Sequence, residues 1–218
     1  MNNNNHNYAA VAVLPPVSGG RLEDASLRAW LSRSNIRLLQ GRRALLSQVL
    51  DLLGLPQPED GFAALRMWGQ TGDRPTVWLA AADPVCLEPR LDRLCLHALR
   101  ENDLQPTEFR ALFDHLQLLL AGDSQTGFVQ LGNYGYLRSS DAIATAAESP
   151  AMIDQESPGD YLPQGAGAAR HRNLLSEIEM SLHDHEVNQR RIAAGKKPVN
   201  SLWLWGGGFA QERTTRVQ

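Results

Sequence analysis

The run Val199-Asn-Ser-Leu-Trp-Leu-Trp205 places the tightest limit on how this chain can fold. In an extended strand successive side chains point to opposite faces, so Trp203 and Trp205 share one side while Leu202 and Leu204 share the other. Large apolar groups on both faces need cover on both faces. Such a strand lies inside a sheet with other elements packed above and below it, which demands a layered domain with a substantial core. A length of 218 residues is enough to build one. A hydrophobic content of 43% and a charged content of 21% belong to a folded chain rather than a disordered one.

The rest of the sequence supplies the covering elements. Residues 1–7 are an Asn-rich, low-complexity start expected to be disordered, and Tyr8–Leu14 is a short apolar run with the character of a buried strand. Helical spacing runs from Asp24 to Gly54, and a short helix is predicted from Glu59 to Trp68. Thr76–Ala81 and Leu94–Leu99 read as strands, with Asp83-Pro84 breaking the first. Leu104–Leu120 carries the cleanest amphipathic stripe, from Phe109 through Leu112, Phe113 and Leu116 to Leu120, with Pro106 and Glu108 suited to its first turn. Phe128–Leu131 and Tyr134–Leu137 read as strands flanking the turn-type dipeptide Gly132-Asn133, with their pairing left open by the sequence.

From Ser139 to Gly167 the chain turns rich in Ser, Ala, Pro, Gly and acidic residues, the pattern of a long connection. Beyond it Ala168–Ala194 is one long helical pattern, and Gly195–Pro198 breaks it before the Trp strand. The expected fold is α+β, a small mixed sheet with flanking helices. It comprises an N-terminal α/β lobe over 8–140, then a linker and a helix-strand segment over 141–218 within the same compact unit.

Charge and cysteine usage exclude several function classes. Twenty-one basic side chains against 24 acidic ones leave a net charge of −3, which gives no global attraction to nucleic acid or to an anionic membrane. Two cysteines, Cys86 and Cys95, do not make a disulfide scaffold or a four-thiolate zinc site. The start lacks the basic and long apolar segments of a secretory signal, so the expected location is the cytoplasm.

Local chemistry concentrates near the C-terminal end. Arg190, Arg191, Lys196 and Lys197 gather four cations within eight residues, beside Asn188 and Asn200. Arg grips phosphate or carboxylate bidentately and Lys adds a point charge, although a helix C-terminus attracts cations anyway. His183 and His185 diverge by about 200° if both lie on one helix, so they cannot chelate a metal together. His185 then falls on the apolar face. Gly206-Gly207-Gly208 after a strand would let backbone approach an anion, but matches neither Gly-x-Gly-x-x-Gly nor a Walker loop. Trp203 and Trp205 serve the core or stack on a ligand or partner.

The segment His185-Glu-Val-Asn188, Arg190-Arg191, Gly195-Lys-Lys-Pro-Val-Asn200 and Ser-Leu-Trp-Leu-Trp-Gly-Gly-Gly208 resembles bacterial RpfE-type regulatory proteins and, behind them, the archaeal-type cofactor-independent phosphoglycerate mutases. The resemblance is dense over Leu162–Gly208 and looser over Trp78–Leu99. In the mutases the stretch reads His-x-Val-Asn, a basic Arg, Gly-Lys-x-Pro-x-Asn and an apolar strand with Trp before Gly-x-Gly. It implies kinship with the alkaline-phosphatase-like superfamily, which transfers phosphoryl groups with a Ser nucleophile and two divalent metals. The family's ligand motifs are missing here. Asp60-Gly61 is followed by Phe62-Ala63-Ala64 without a second Asp, no Gly-His pair occurs, and Trp205 stands where some mutases have Arg. A two-metal site holds its ions about 4 Å apart with several carboxylates and imidazoles.

The resemblance therefore implies a non-catalytic regulatory protein without a cofactor. It would bind a phosphorylated metabolite or a protein partner through His185, Asn188, Arg190, Arg191, Lys196, Lys197, Asn200, Trp203, Trp205, Gly206 and Gly208. One alternative is a metal-dependent mutase or phosphatase completed by absent sequence or another subunit. A second is a structural interaction module, in which the Trp strand makes a homo-oligomer or partner interface. The chain stops ten residues after Gly208, where the related proteins continue, the pattern of a shortened or truncated member.

Overall fold

A computed structural model describes residues 24–35, 45–53, 58, 60–99, 103–165 and 167–212. The chain divides into two compact units, residues 1–57 and 58–218. In the first, the helical spacing yields α1 (Ala25–Leu31) and α2 (Leu45–Leu53). The Asp24 side chain caps α1 by accepting the Leu27 N–H at 2.8 Å, satisfying an amide that the first turn leaves without a partner. The expected strand over Tyr8–Leu14 lies outside the described residues, as do residues 1–7.

The second unit contains α3 (Phe62–Thr71), β1 (Trp78–Pro89), β2 (Leu94–Ala98), α4 (Pro106–Leu119), β3 (Thr126–Leu131), β4 (Tyr134–Ser139), α5 (Ala168–His183), α6 (Glu186–Ala193) and β5 (Ser201–Gly208). Two single 3₁₀ turns, at Pro150–Met152 and Pro158–Asp160, punctuate the connection between β4 and α5. The fold is mixed α and β, and its strand ladders are all antiparallel.

β1 is the central strand. β5 pairs along one of its edges from Leu79 to Val85. The other edge is shared, with β4 covering Trp78–Ala81, β2 covering Val85–Pro89, and β3 lying outside β4. Even-numbered side chains of β1, including Trp78, Ala80 and Ala82, join Leu202 and Leu204 beneath Phe109, Phe113 and Leu116 of α4 and Ile178 and Leu182 of α5. Odd-numbered ones face the opposite layer, where Leu79 and Ala81 meet Ala63 and Ala64 of α3, and Val85 meets Trp203 and Ile153. The two faces of β5 are thus covered by different layers.

Asp83-Pro84 does not end the first strand, and β1 runs straight through it. The Asn200 side chain bonds both the N–H and the C=O of Leu87, so odd-numbered backbone groups here point toward β5 and Pro84 points to the other edge. That edge is bare between the end of the β4 ladder at Ala81 and the start of β2 at Val85. A proline without an N–H costs no ladder hydrogen bond in such a gap.

The single helix expected over Ala168–Ala194 is two helices, broken at Asp184-His185. The break has its own hydrogen bonds. Asn188 Nδ2 donates to the Leu182 C=O at 2.8 Å, capturing a carbonyl that a continuous helix would have satisfied. His185 adopts extended backbone geometry as N-cap of α6, and its Nδ1 accepts the Val187 N–H at 3.2 Å. Gly195, at φ 68°, then lets the chain leave α6 in a left-handed turn.

The three glycines closing β5 are also structural. An extra residue enters β5 opposite Leu79–Ala81, a bulge with Gly206 at φ 60°. A Cβ on Gly208 would lie 2.4 Å from the Gly61 nitrogen, and one on Gly207 2.5 Å from the Trp78 ring, so only hydrogen fits there.

Candidate functional site

The cations near the C-terminal end separate into a buried one and three exposed ones. Arg191 is only 2% exposed. Its guanidinium donates to the carbonyls of Lys197 (2.8 Å) and Asp103 (2.8 Å) and to Glu108 Oε2 (2.9 Å), binding α6 to the head of α4. Glu108 Oε2 also accepts the Gln105 N–H, so one carboxylate serves the N-terminus of α4 and the ion pair. Arg190, Lys196 and Lys197 face solvent. Arg190 meets Glu186 one turn back at 3.3 Å, and Lys197 Nζ meets Glu88 at 2.8 Å. Lys197 and His97 hold the Glu88 carboxyl below its usual range.

Asn188 and Asn200 each hold one residue's backbone by both of its polar groups. Asn188 donates to the Val199 C=O at 2.7 Å and accepts the Val199 N–H at 2.8 Å. Asn200 donates to the Leu87 C=O at 2.8 Å and accepts the Leu87 N–H at 2.7 Å. Both side chains complete the sheet rather than line a cleft. Trp203 is buried and donates its indole N–H to the Glu148 C=O at 2.8 Å. His185 packs edge-on against His115, ring centroids 4.9 Å apart. Burial, reinforced by the neighbouring His115, pushes its imidazole below the ordinary value.

The remaining predicted residue, Trp205, leads to a cluster that the sequence pattern did not single out. Its indole Nε1 donates to Asp83 Oδ2 at 2.7 Å. Arg66 Nη1 reaches both oxygens of the same carboxylate, at 2.9 and 3.1 Å. Arg66 also donates from Nε to the Tyr136 hydroxyl and from Nη2 to the Gly135 C=O. Its guanidinium lies over the rings of Tyr136, Tyr134 and Trp205, at 4.7 to 5.6 Å from the centroids. The signal for this cluster was present: Arg66 sits one turn from Ala63 on the buried side of α3, and Asp83 lies mid-strand among apolar neighbours. Neither charge belongs in those places without a partner.

Phosphoryl transfer with a metal pair would need converging donors. Among the described residues no three His, Cys, Asp or Glu side chains come together to hold an ion. Asp83, the carboxylate of the cluster, already carries the Arg66 cation, so the described donor set does not fit a metal pair. Among the described residues, no helix is long and apolar enough to cross a membrane.

No family model matches the chain. It is 29% identical over 128 residues to a probable 2,3-bisphosphoglycerate-independent phosphoglycerate mutase of Geobacter sulfurreducens, a match covering 58% of this chain and 32% of that protein. Identity is 37% over 71 residues with the 2,3-bisphosphoglycerate-independent phosphoglycerate mutase of Methanosarcina acetivorans, covering 33% and 18% of the two chains. It is 44% over 63 residues with 2,3-bisphosphoglycerate-independent phosphoglycerate mutase 2 of Methanothermobacter thermautotrophicus, covering 28% and 16%. Among solved structures, the cofactor-independent phosphoglycerate mutase from Thermoplasma acidophilum superposes with a TM-score of 0.49 at 18% identity, over 71% of this chain and 43% of that one. By its sequence matches the chain is homologous over part of its length to cofactor-independent phosphoglycerate mutases, and it spans a third or less of the length of these curated relatives.

Proposed function

We propose that this mutase-related chain is a non-catalytic regulatory protein of the RpfE type, acting in the bacterial cytoplasm by binding rather than by turnover. One observation carries the reading. Three of the polar residues through which it resembles the mutases, Asn188, Arg191 and Asn200, are bonded to this chain's own backbone or to Glu108, and so maintain the fold. What is shared with the mutases is a scaffold. The ligand in this reading is a phosphorylated metabolite or an acidic partner surface, met by the exposed Arg190, Lys196 and Lys197 on the platform that Arg191 anchors. Exposed ion pairs such as Lys197 with Glu88 are weak and readily exchanged for another anion.

The test is an assay of 3-phosphoglycerate conversion with Mn²⁺, run beside calorimetric titration of the same compound. The expected result is no turnover, with salt-sensitive binding that is lost in Arg190→Ala/Lys196→Ala/Lys197→Ala. Turnover lost on Asn200→Ala would overturn it. A second reading, a mutase or phosphatase completed by further sequence or another subunit, is favoured by the 16–32% of the relatives' length that the matches cover. It predicts turnover when the missing part is supplied.

A further inference from the structure

The bare stretch of β1 between β4 and β2 opens into a cleft of about 290 Å³, lined by Asp83, Pro84 and Trp205 and walled by Leu104, Phe109 and Pro150. That volume lies at the lower end of small-molecule pockets, roughly 300–1,000 Å³, and suits one ring system better than a whole nucleotide.

Its charges define the complementary ligand. Arg66 donates from all three of its nitrogens to Tyr136, Asp83 and Gly135. It therefore has little to offer a phosphate, and paired with Asp83 it leaves the cleft electrically neutral. The carboxylate is different. It has room for about four hydrogen bonds, and two from Arg66 and one from Trp205 occupy part of that capacity. The Asp83 side chain is 21% exposed, so its remaining acceptor capacity can be reached from solvent. A ligand here must bring a donor and present flat apolar surface to aromatic and aliphatic walls.

We propose that this cleft binds a planar nitrogen heterocycle of the nucleobase class, with a ring N–H or exocyclic amino group donating to Asp83 and the ring packed against Trp205. The site stands apart from the exposed cations near α6 and is independent of whether the protein turns over a substrate. Arg66 and Tyr136 are positioning residues that hold the carboxylate.

The test follows the indole N–H resonances of ¹⁵N-labelled full-length protein while adenine or cytosine is added, with ribose 5-phosphate and inorganic phosphate as controls. The expected result is a saturable shift of the Trp205 signal with a base and none with either phosphate compound. Asp83→Asn is expected to weaken binding about tenfold or more, the effect of losing a hydrogen bond to a charged group. Ala151→Trp narrows the cleft without removing any side-chain hydrogen bond and is expected to abolish binding in a folded protein. No shift with either base at millimolar concentration, a shift that survives Ala151→Trp, or an equal response to ribose 5-phosphate would overturn the proposal. Failure of Asp83→Asn to fold leaves the Ala151→Trp comparison decisive.

Discussion

Asn188 and Val199 meet as a closed pair: the side-chain amide donates to the Val199 carbonyl at 2.7 Å and accepts its N–H at 2.8 Å, mimicking one rung of a sheet just before β5 begins. The same amide holds Leu182 at the end of α5, so one residue joins helix end, helix start and strand entry. Asn188→Ala strands the Val199 carbonyl and N–H in a buried position and leaves the Leu182 carbonyl to the His185 N–H. The expected loss is about 3 kcal/mol or more, since each orphaned buried group costs about 1–3 kcal/mol. Asn188→Asp should be no milder, because a carboxylate cannot donate to two carbonyls. Urea denaturation midpoints check both. A loss under 1 kcal/mol in either would show that the pair does not hold β5.

Arg190 and Arg191 are neighbours in sequence and opposites in energy. Removing buried Arg191 takes its hydrogen bonds from the Asp103 and Lys197 carbonyls and leaves Glu108 Oε2 with the Gln105 N–H but no cation, and breaking a buried pair from one side costs about 3–5 kcal/mol. Arg191→Lys replaces a three-way fork with a single point and should recover less than half of this. Arg190→Ala, on the exposed side of α6, should change stability by no more than about 0.5 kcal/mol. Equal effects of Arg190→Ala and Arg191→Ala in urea would contradict the assignment.

Much of this fold was legible in the residue pattern, and what escaped has identifiable causes. The stripe from Phe109 to Leu116 gave α4 because a long amphipathic period is a strong signal. Gly132-Asn133 marked the turn between β3 and β4 because a two-residue turn needs such residues, while the pairing of the two strands with each other was left open by the sequence. Asp83-Pro84 misled because a strand tolerates proline where a neighbouring strand has ended, and that depends on β4 and β2, which are distant in sequence. The break at His185 escaped because its hydrogen bonds come from side chains, while the apolar period hardly changes across it. For the candidate residues, spacing gathered Arg190 through Lys197 into one cationic group, but it could not tell which of them the head of α4 would bury. Arg66 and Asp83 are 17 positions apart, and no local period links them.

Two imidazoles make the folded state acid-sensitive. His171 is buried with neither ring nitrogen in a hydrogen bond of normal geometry. Burial lowers its pKa from 6.5, and the nearby Ala144 backbone offsets only part of that. His185 is lowered as well. Both groups take up protons at lower pH in the folded chain than in the unfolded one, so the unfolded state binds more protons as pH falls through 6.5. Stability is expected to be flat above about pH 7, to fall as pH drops through 6.5, and to level off below the lowered folded values. His171→Leu should make the fall shallower between pH 6.5 and 5. An unchanged pH profile in that variant, measured by urea denaturation, would remove His171 as a cause.

Gly135 marks where β4 leaves β1, and it has no room for a side chain. A Cβ there would lie 2.0 Å from Phe113 Cζ and 2.4 Å from the Ala82 carbonyl oxygen. One obstacle is a ring that can rotate or be cut back; the other is backbone in the central strand. Gly135→Ala is therefore expected to destabilise by about 2–3 kcal/mol, in the upper range of overpacking, and to disturb the Gly135 carbonyl that Arg66 grips. Phe113→Leu alone removes core surface and costs about 1–1.5 kcal/mol. In Gly135→Ala/Phe113→Leu the two losses should add to less than their sum, because the smaller side chain relieves the nearer clash. The shortfall must stay partial, since the Ala82 carbonyl remains in the way. Full additivity in a double-mutant cycle would mean that Phe113 does not set the limit at Gly135. Complete relief would mean that β1 yields more at Ala82 than a strand still paired with β5 there should.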